Sequence, residues 1–456
     1  MDIIICGGGR VGFNLARYLS RYDNHITVID NRPELIAHIN ERLEVKAFCG
    51  HACAPEVLRQ AGADNADMVI AVTQSDEVNM VTCEVAHALF EVETKIARLR
   101  NRSFLEPRWS KLFSPQHLNI DFVISPEYEV AYGIGRTLMV TGALEVVPLS
   151  QDRLQLVAVR CTKESPVVNT PISHFTSLFP SLDITVVGLM RGEAQWIPED
   201  SETVREGDKL YYVVATPNLS LSLKAFGHED DGNHRTLILG GGNIGLRLAQ
   251  VLEEGENPPQ MTLIEKNEER ASEVAELLSR GIILCGDALD KEVLLEADVA
   301  SAQTVVAVTA DDRVNGLAAL LAKRLGAARA LALINAGSFE PLVSSLGVDA
   351  VINPRKVTVS KILQYINRHK LRSIYSLGTL WGEVMEVEVS EASSLVGLRH
   401  DDLEASGALK LAAVVREDEV YLQTHALTLQ SGDRVLFMVS PQARSKVERF
   451  FPTRYI

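Results

Sequence analysis

The 456-residue chain carries a formal net charge of −15, with 46% hydrophobic and 23% charged residues and a pI near 5.3, ordinary globular usage that excludes wholesale disorder. The acidic balance disfavours non-specific binding to nucleic acid or anionic lipid, and no apolar run reaches the roughly 18 residues that would suggest a bilayer span. Six scattered cysteines suit a reducing cytosol better than a disulfide framework.

From the first residue, Asp2 and the short apolar run Ile3-Ile4-Ile5 lead straight into a glycine turn, which does not form a signal peptide. Ile3–Cys6 reads as a short buried strand and Val11–Leu19 as a helix, with Gly7-Gly8-Gly9-Arg10-Val11-Gly12 spanning the turn between them. Ile26–Ile29 is a second strand ending at Asp30, and Pro33–Asn40 opens a helix with proline in its first turn. Met68–Val72, a helix from about Asp76 to Ala88 and a strand near Thr94–Leu99 follow. Strands alternating with helices predict a parallel sheet with right-handed crossovers.

Much of this recurs. Cys6–Gly12 matches Leu239–Gly245, where Gly240-Gly241-Gly242-Asn243-Ile244-Gly245 forms a second glycine turn. Ile29-Asp30 matches Ile264-Glu265, Cys49-Gly50 matches Cys285-Gly286, and Ala71-Val72-Thr73 matches Ala307-Val308-Thr309. Ser103-Phe104 pairs with Ser338-Phe339, and Ile124-Ser125-Pro126 with Ile352-Asn353-Pro354. Between and after the lobes, Val204–Asp208 and Leu429–Asp433 precede strand-like runs at Lys209–Ala215 and Arg434–Val439, with apolar strands Ile184–Arg191 and Leu409–Arg416 upstream. Ordered matches of this kind indicate a duplication. The expected organisation is an α/β chain of two Rossmann-like parallel-sheet lobes, 1–125 and 233–354, each followed by a small α+β domain, 140–227 and 370–454, with a polar linker at His228–Arg235.

A pyrophosphate must approach backbone closely and sit on a helix N-terminus. Gly7 and Gly240 give the tight turn, Gly9 and Gly242 keep a side chain out of the phosphates' way, and Gly12 and Gly245 let helix pack on strand. Asp30 and Glu265 follow at the roughly 20-residue spacing of a carboxylate that accepts ribose hydroxyls and repels a 2′-phosphate, favouring NAD(H) or an adenine nucleotide over NADP. The bland alternative is a Rossmann scaffold with an empty turn. Thr73 and Thr309 lie at the carboxyl edge of the sheet, where ligands bind, although helix capping accounts equally for this stretch. Arg98 either faces phosphates or pairs with an acid, and its second-lobe counterpart is Leu333 or Ile334. Cys49-Gly50-His51-Ala52-Cys53 lacks the spacing of a metal site, and the match of Cys49 to Cys285 predicts a small buried apolar position, so no metal is expected. No acid–base constellation or P-loop lysine accompanies the turns, so no enzymatic activity or catalytic residue is expected.

The doubled turns with Asp30 and Glu265, Gly50-His51, Ala61–Asp67, Val72–Glu77 with Asn79, and Ile96-Ala97-Arg98 together resemble the TrkA family, the NAD-binding regulatory subunits of bacterial Trk potassium uptake systems, over essentially the whole chain as two RCK (regulator of K⁺ conductance) units in tandem. The resemblance implies a homo-oligomer, a tetrameric ring at the inner face of the cell membrane, held there by a Trk-type potassium-translocating subunit and changing shape with NAD(H) or ATP/ADP. It implies a first site of Gly7 to Val11, Asp30, Thr73, Gln74 and Arg98, and a second of Gly240 to Ile244 and Glu265. Two alternatives remain open at this point: a soluble NAD-dependent oxidoreductase, and a regulator of another cation channel or antiporter.

Overall fold

A computed structural model describes residues 1–20, 24–179, 182–192, 194–228, 235–255, 257–336, 339, 342–343, 346–366, 373–377, 382–399, 403, 408–422, 427–440 and 443. Most of the expected linker, Ser338 and parts of 370–454 lie outside the described residues.

The first lobe is a six-stranded sheet of β1 (Asp2–Cys6), β2 (His25–Asp30), β3 (Lys46–Cys49), β4 (Met68–Ala71), β5 (Thr94–Arg98) and β6 (Phe122–Ile124), in the order β3-β2-β1-β4-β5-β6. Its neighbouring strands pair in parallel. The central strand β1 is apolar on both faces, with Ile3, Ile4 and Ile5 no more than 2% exposed, as a parallel strand covered by helices on both sides must be. Reversal of strand order between β1 and β4 opens a crevice at the carboxyl ends, the place where α/β sheets bind ligands.

A first small domain follows: β7 (Ala143–Leu149), β8 (Leu154–Arg160), β9 (Ile184–Arg191), β10 (Ala194–Trp196) and β11 (Lys209–Ala215), in the order β10-β9-β11-β8-β7. The second lobe repeats the first with β12 (Arg235–Leu239), β13 (Gln260–Glu265), β14 (Ile282–Cys285), β15 (Thr304–Ala307), β16 (Ala330–Leu333) and β17 (Ala350–Ile352), ordered β14-β13-β12-β15-β16-β17. The second small domain has β18 (Ser373–Leu377), β19 (Gly382–Glu388), β20 (Leu409–Arg416), β21 (Glu419–Tyr421) and β22 (Arg434–Val439), ordered β18-β19-β22-β20-β21.

By contacts the chain divides into two compact units: Met1–Ala131 with Leu333–Pro341 and Ile352–Tyr365, and Tyr132–Ala332 with Leu342–Val351 and Ile366–Ile456. The first contains the first lobe together with part of the Pro354–Ile366 helix from the second half, whose Tyr365 ring stacks on Phe122 at 4.4 Å between centroids.

In the second unit both small domains share one apolar core. Leu144, Leu156, Val187 and Tyr211 of the first pack with Val384, Ala413, Leu436 and Met438 of the second. Polar ties close its rim at corresponding positions: the Thr185 hydroxyl donates to the Leu422 carbonyl at 2.8 Å, and Lys410 Nζ donates to the Pro198 carbonyl at 3.2 Å. Ser150 donates from its amide and its hydroxyl to Glu386, which is only 4% exposed. Each domain also carries a forked internal ion pair. Arg191 spans Asp208 and Arg416 spans Asp433 with bonds of 2.7–2.8 Å, and the two aspartates are 0% and 1% exposed. These pairs account for the Gly-Asp repeated before β11 and β22.

The apolar stretch Val130–Val140 falls mostly on the Pro126–Leu138 helix, with Tyr132 and Met139 exposed. Val130, Ala131 and Ile134 are 0–3% exposed, and a Cβ at Gly135 would stand 2.7 Å from Val251.

Candidate functional site

The first glycine turn joins β1 to the Arg10–Leu19 helix. Gly7 adopts φ +114° and a Cβ there would meet the Val72 and Thr73 backbone at 2.9 Å, while a Cβ at Gly12 would stand 1.8 Å from the Gly7 carbonyl oxygen. Both positions therefore demand glycine. Gly9 differs: the nearest atom to a Cβ would be Arg32 Nη2 at 3.9 Å, so the ground in front of the helix is open. No side chain caps that helix and no acid occupies its first turn, leaving amide N–H groups and the positive end of the helix dipole for an anion.

Asp30 ends β2 beside this turn, 8% exposed. Its Oδ2 accepts the Gly8 amide at 2.7 Å and its Oδ1 the Arg32 amide at 2.9 Å. The carboxylate is thus fixed before any ligand arrives, with lone pairs left for ribose hydroxyls.

The second lobe reproduces the geometry. Gly240 has φ +111°, a Cβ at Gly245 would stand 1.8 Å from the Gly240 carbonyl oxygen, and Gly242 faces open space. Glu265 Oε2 accepts the Gly241 amide at 2.7 Å, and Oε1 accepts the Asn267 amide at 2.9 Å. The Asn243–Glu253 helix likewise begins without a side-chain cap.

Thr73 follows β4 and donates its hydroxyl to Asn79 Oδ1 at 2.6 Å, with its amide on the same atom at 2.9 Å. Thr309 does the same to Asn315, both at 2.7 Å. Either hydroxyl has lone pairs left for a ligand, but its proton is spent within the lobe. Asn79 Nδ2 also donates to the Arg98 carbonyl at 2.8 Å, tying the ends of β4 and β5 together. Ser75 caps the Asp76–Phe90 helix through the Val78 amide, and Asp76 accepts the Arg100 and Asn101 amides. Gln74 is exposed beside Thr73.

Arg98 ends β5, half-buried, with a buried Nε that has no hydrogen-bond partner. Burial lowers its pKa, Glu127 works against that shift, Arg100 adds to it, and Asp76 opposes it. Strand register settles its counterpart. Ala71 pairs with Ala97 and Ala307 with Ala332, so Leu333 takes the place of Arg98.

Two cations at the turns escape the sequence reading. Arg32 hangs over Gly9, and its Nε lies 3.4 Å from Asp30 Oδ1. Arg270 Nε donates to the Gly241 carbonyl at 2.8 Å, and Nη1 to Glu273 at 2.6 Å. They reach equivalent turns from different offsets past the acid, so the repeat does not align them.

Cys49 and Cys285 correct another expectation, since both are exposed. Each ends an edge strand with no neighbour on its outer side, which leaves that residue open to solvent. Each sits opposite the acid beside the glycine turn, Cys49 facing Asp30 and Cys285 facing Glu265 in register. Among the described residues no group of His, Cys, Asp or Glu is arranged to hold a metal.

Fold and site together define a duplicated Rossmann-type protein with a nucleotide-site geometry in each lobe and paired small domains. The TrkA-N domain family matches residues 3–126 and 236–354, and the TrkA-C domain family matches 384–451. A Trk system potassium uptake protein TrkA of Azorhizobium caulinodans is 40% identical over 99% of this chain and 98% of its own, and that of Halomonas elongata is 35% identical over the same shares. The chain belongs to the TrkA family. The crystal structure of the GsuK RCK domain superposes with a TM-score of 0.61 at 17% identity, covering 98% of this chain and 94% of that one. The GsuK channel bound to NAD gives 0.62 at 17%, covering 98% and 78%. These likenesses establish the RCK-type fold. Among the described residues no helix is long and apolar enough to cross a membrane.

Proposed function

We propose that this protein is a cytosolic nucleotide-sensing regulatory subunit. It assembles as a homo-oligomer, a tetramer, beneath a Trk-type potassium-translocating membrane subunit and sets the gating of that subunit according to bound NAD(H) or ATP/ADP. The observation that carries this reading is the doubled turn. Two glycine-walled helix N-termini stand open, and a fixed carboxylate waits beside each, Asp30 on the Gly8 amide and Glu265 on the Gly241 amide. These groups fit an adenosine ribose and a pyrophosphate.

In the first site the amides of Gly7 to Val11 would cradle phosphate, Asp30 the ribose, and Thr73, Gln74 and Arg98 the rest of the ligand. In the second, the amides of Gly240 to Ile244 with Glu265 and Thr309 would do so. Bound nucleotide would supply no chemistry beyond its own binding energy, and the chain's residues convert that energy into shape. The four-domain division at 1–125, 140–227, 233–354 and 370–454 is part of the same proposal. Relatives named as Trk potassium uptake proteins and a channel of RCK-type fold named as bound to NAD support it. The test is potassium uptake by cells carrying Asp30→Ala or Glu265→Ala protein at matched abundance. Uptake and its nucleotide response should change in at least one variant, and no change in either removes ligand gating through these sites.

A further inference from the structure

The two turns share a backbone and differ in charge. The first lobe offers three guanidiniums at the carboxyl edge of its sheet, and one of them, Arg32, lies 3.4 Å from the Asp30 carboxylate. Arg10 is exposed at the start of the helix, Arg32 reaches over Gly9, and Arg98 ends β5 with Nε unpaired. Around the second, Asn243 replaces Arg10 and Leu333 replaces Arg98. At the turn itself stands Arg270, bound to the Gly241 carbonyl and to Glu273, so two carboxylates, Glu265 and Glu273, face it, while Arg355, where the first lobe has Glu127, donates to the Asn335 carbonyl.

Each lobe also carries an ion pair beside these groups. Arg100 pairs with Glu127 at 3.0 Å, and Lys266 pairs with Asp287 at 2.8 Å. Asp76 is engaged by backbone amides and has an acid, Asp312, at the matching position of the second lobe.

We propose that the lobes divide the nucleotides between them: the first selects a nucleoside polyphosphate, ATP or ADP, and the second a ligand carrying no more than a dinucleotide's pyrophosphate, NAD(H). This rests on the functional reading above and goes further by assigning a ligand class to each lobe. Each phosphate added beyond the first brings negative charge, which the guanidiniums of the first lobe attract and the excess carboxylate at the second turn repels. Arg32 is the specificity-determining residue of the first site, because its Nη2 lies over the glycine where phosphate must sit. Its counterpart Asn267 is spent on capping its helix through the Arg270 amide. Arg270 is the residue that limits the second, because its Nε and Nη1 are held by the Gly241 carbonyl and Glu273.

Calorimetry on full-length protein separates the lobes. Glu265→Ala leaves the first site and Asp30→Ala leaves the second, each titrated with ATP, ADP, AMP and NADH at fixed salt. The first site should bind ATP at least tenfold tighter than AMP, and the second should bind ATP no tighter than AMP and weaker than NADH. Arg32→Gln in the Glu265→Ala background should cut ATP affinity about tenfold while AMP changes less than threefold. A matching rank order of ligands at both sites, or an equal loss of ATP and AMP with Arg32→Gln, overturns the division while leaving nucleotide sensing standing. Absence of heat with every nucleotide in the unsubstituted protein overturns both.

Discussion

Asp30 accepts two backbone amides of the lobe itself, so its removal frees the turn as well as losing the ribose. Asp30→Ala should weaken nucleotide binding at the first lobe by about 1–3 kcal/mol, the usual cost of leaving hydrogen-bonding groups unpaired. Titration of the Glu265→Ala background isolates that site, and unchanged affinity refutes the role. The cysteines give a second residue-scale outcome. Burial pushes the Cys6 and Cys161 thiols up to about 12, and burial raises Cys83 as well, so these three stay protonated and inert at neutral pH. Cys49 and Cys285 are exposed. Brief alkylation followed by peptide mass analysis should mark those two ahead of the buried three, and saturating nucleotide should slow them because each lies opposite a ribose acid. Labelling of Cys6 or Cys83 at equal speed contradicts the burial. The glycines and acids are legible in sequence because backbone geometry allows few residues there. Arg32 and Arg270 are not, because a long flexible cation reaches the same point from several starting positions. Exposure of Cys49 turns on strand order, which residue identity does not carry.

Elements with an apolar run and a turn residue at each end are the readable ones. The boundaries Lys209–Ala215, Ile184–Arg191, Leu409–Arg416 and Arg434–Val439 stand in the structure as the sequence predicts them. The edge strands β3 and β6, of four and three residues, have too few positions for a period to emerge. The swap of the Pro354–Ile366 helix into the first compact unit is likewise invisible, because its mean pattern does not name the surface it packs on. The forked Arg416–Asp433 pair ties β20 to the turn before β22. Asp433→Ala leaves Arg416 without its partner and the Gln430 amide without its acceptor. Because Arg416 keeps a quarter of its side chain in water, the loss should lie near the low end of the range for a broken buried pair, about 3 kcal/mol. Chemical denaturation of the variant measures this, and a loss below about 0.5 kcal/mol would mark the pair as dispensable.

At the scale of the whole molecule, Val81 and Leu317 occupy matching positions on the Asp76–Phe90 and Asp312–Arg324 helices and are 48% and 57% exposed. An apolar residue left in water at the same place in both repeats suits a contact used repeatedly around a ring. Light scattering at micromolar concentration should give a tetramer, and the double variant Val81→Lys, Leu317→Lys should give smaller species. A monomer before substitution removes the ring. Such a ring also meets the energy that gating needs. Moving a two-state assembly from 1:99 to 99:1 takes about 5.5 kcal/mol of differential affinity, more than one modest site supplies. Four subunits contributing a little over ~1 kcal/mol each reach it.

The single core shared by the two small domains sets an order of events during synthesis. The sheet of β7–β11 leaves the ribosome with Leu156, Val187 and Tyr211 on a face that packs against side chains of β19, β20 and β22. At translation rates of 5–20 residues per second the wait is roughly 10–45 s, with an apolar sheet face open to other chains throughout. The first half alone is therefore expected to aggregate. Residues 1–228 made alone should go to the insoluble fraction, and supplying residues 229–456 from a second message should return them to solution.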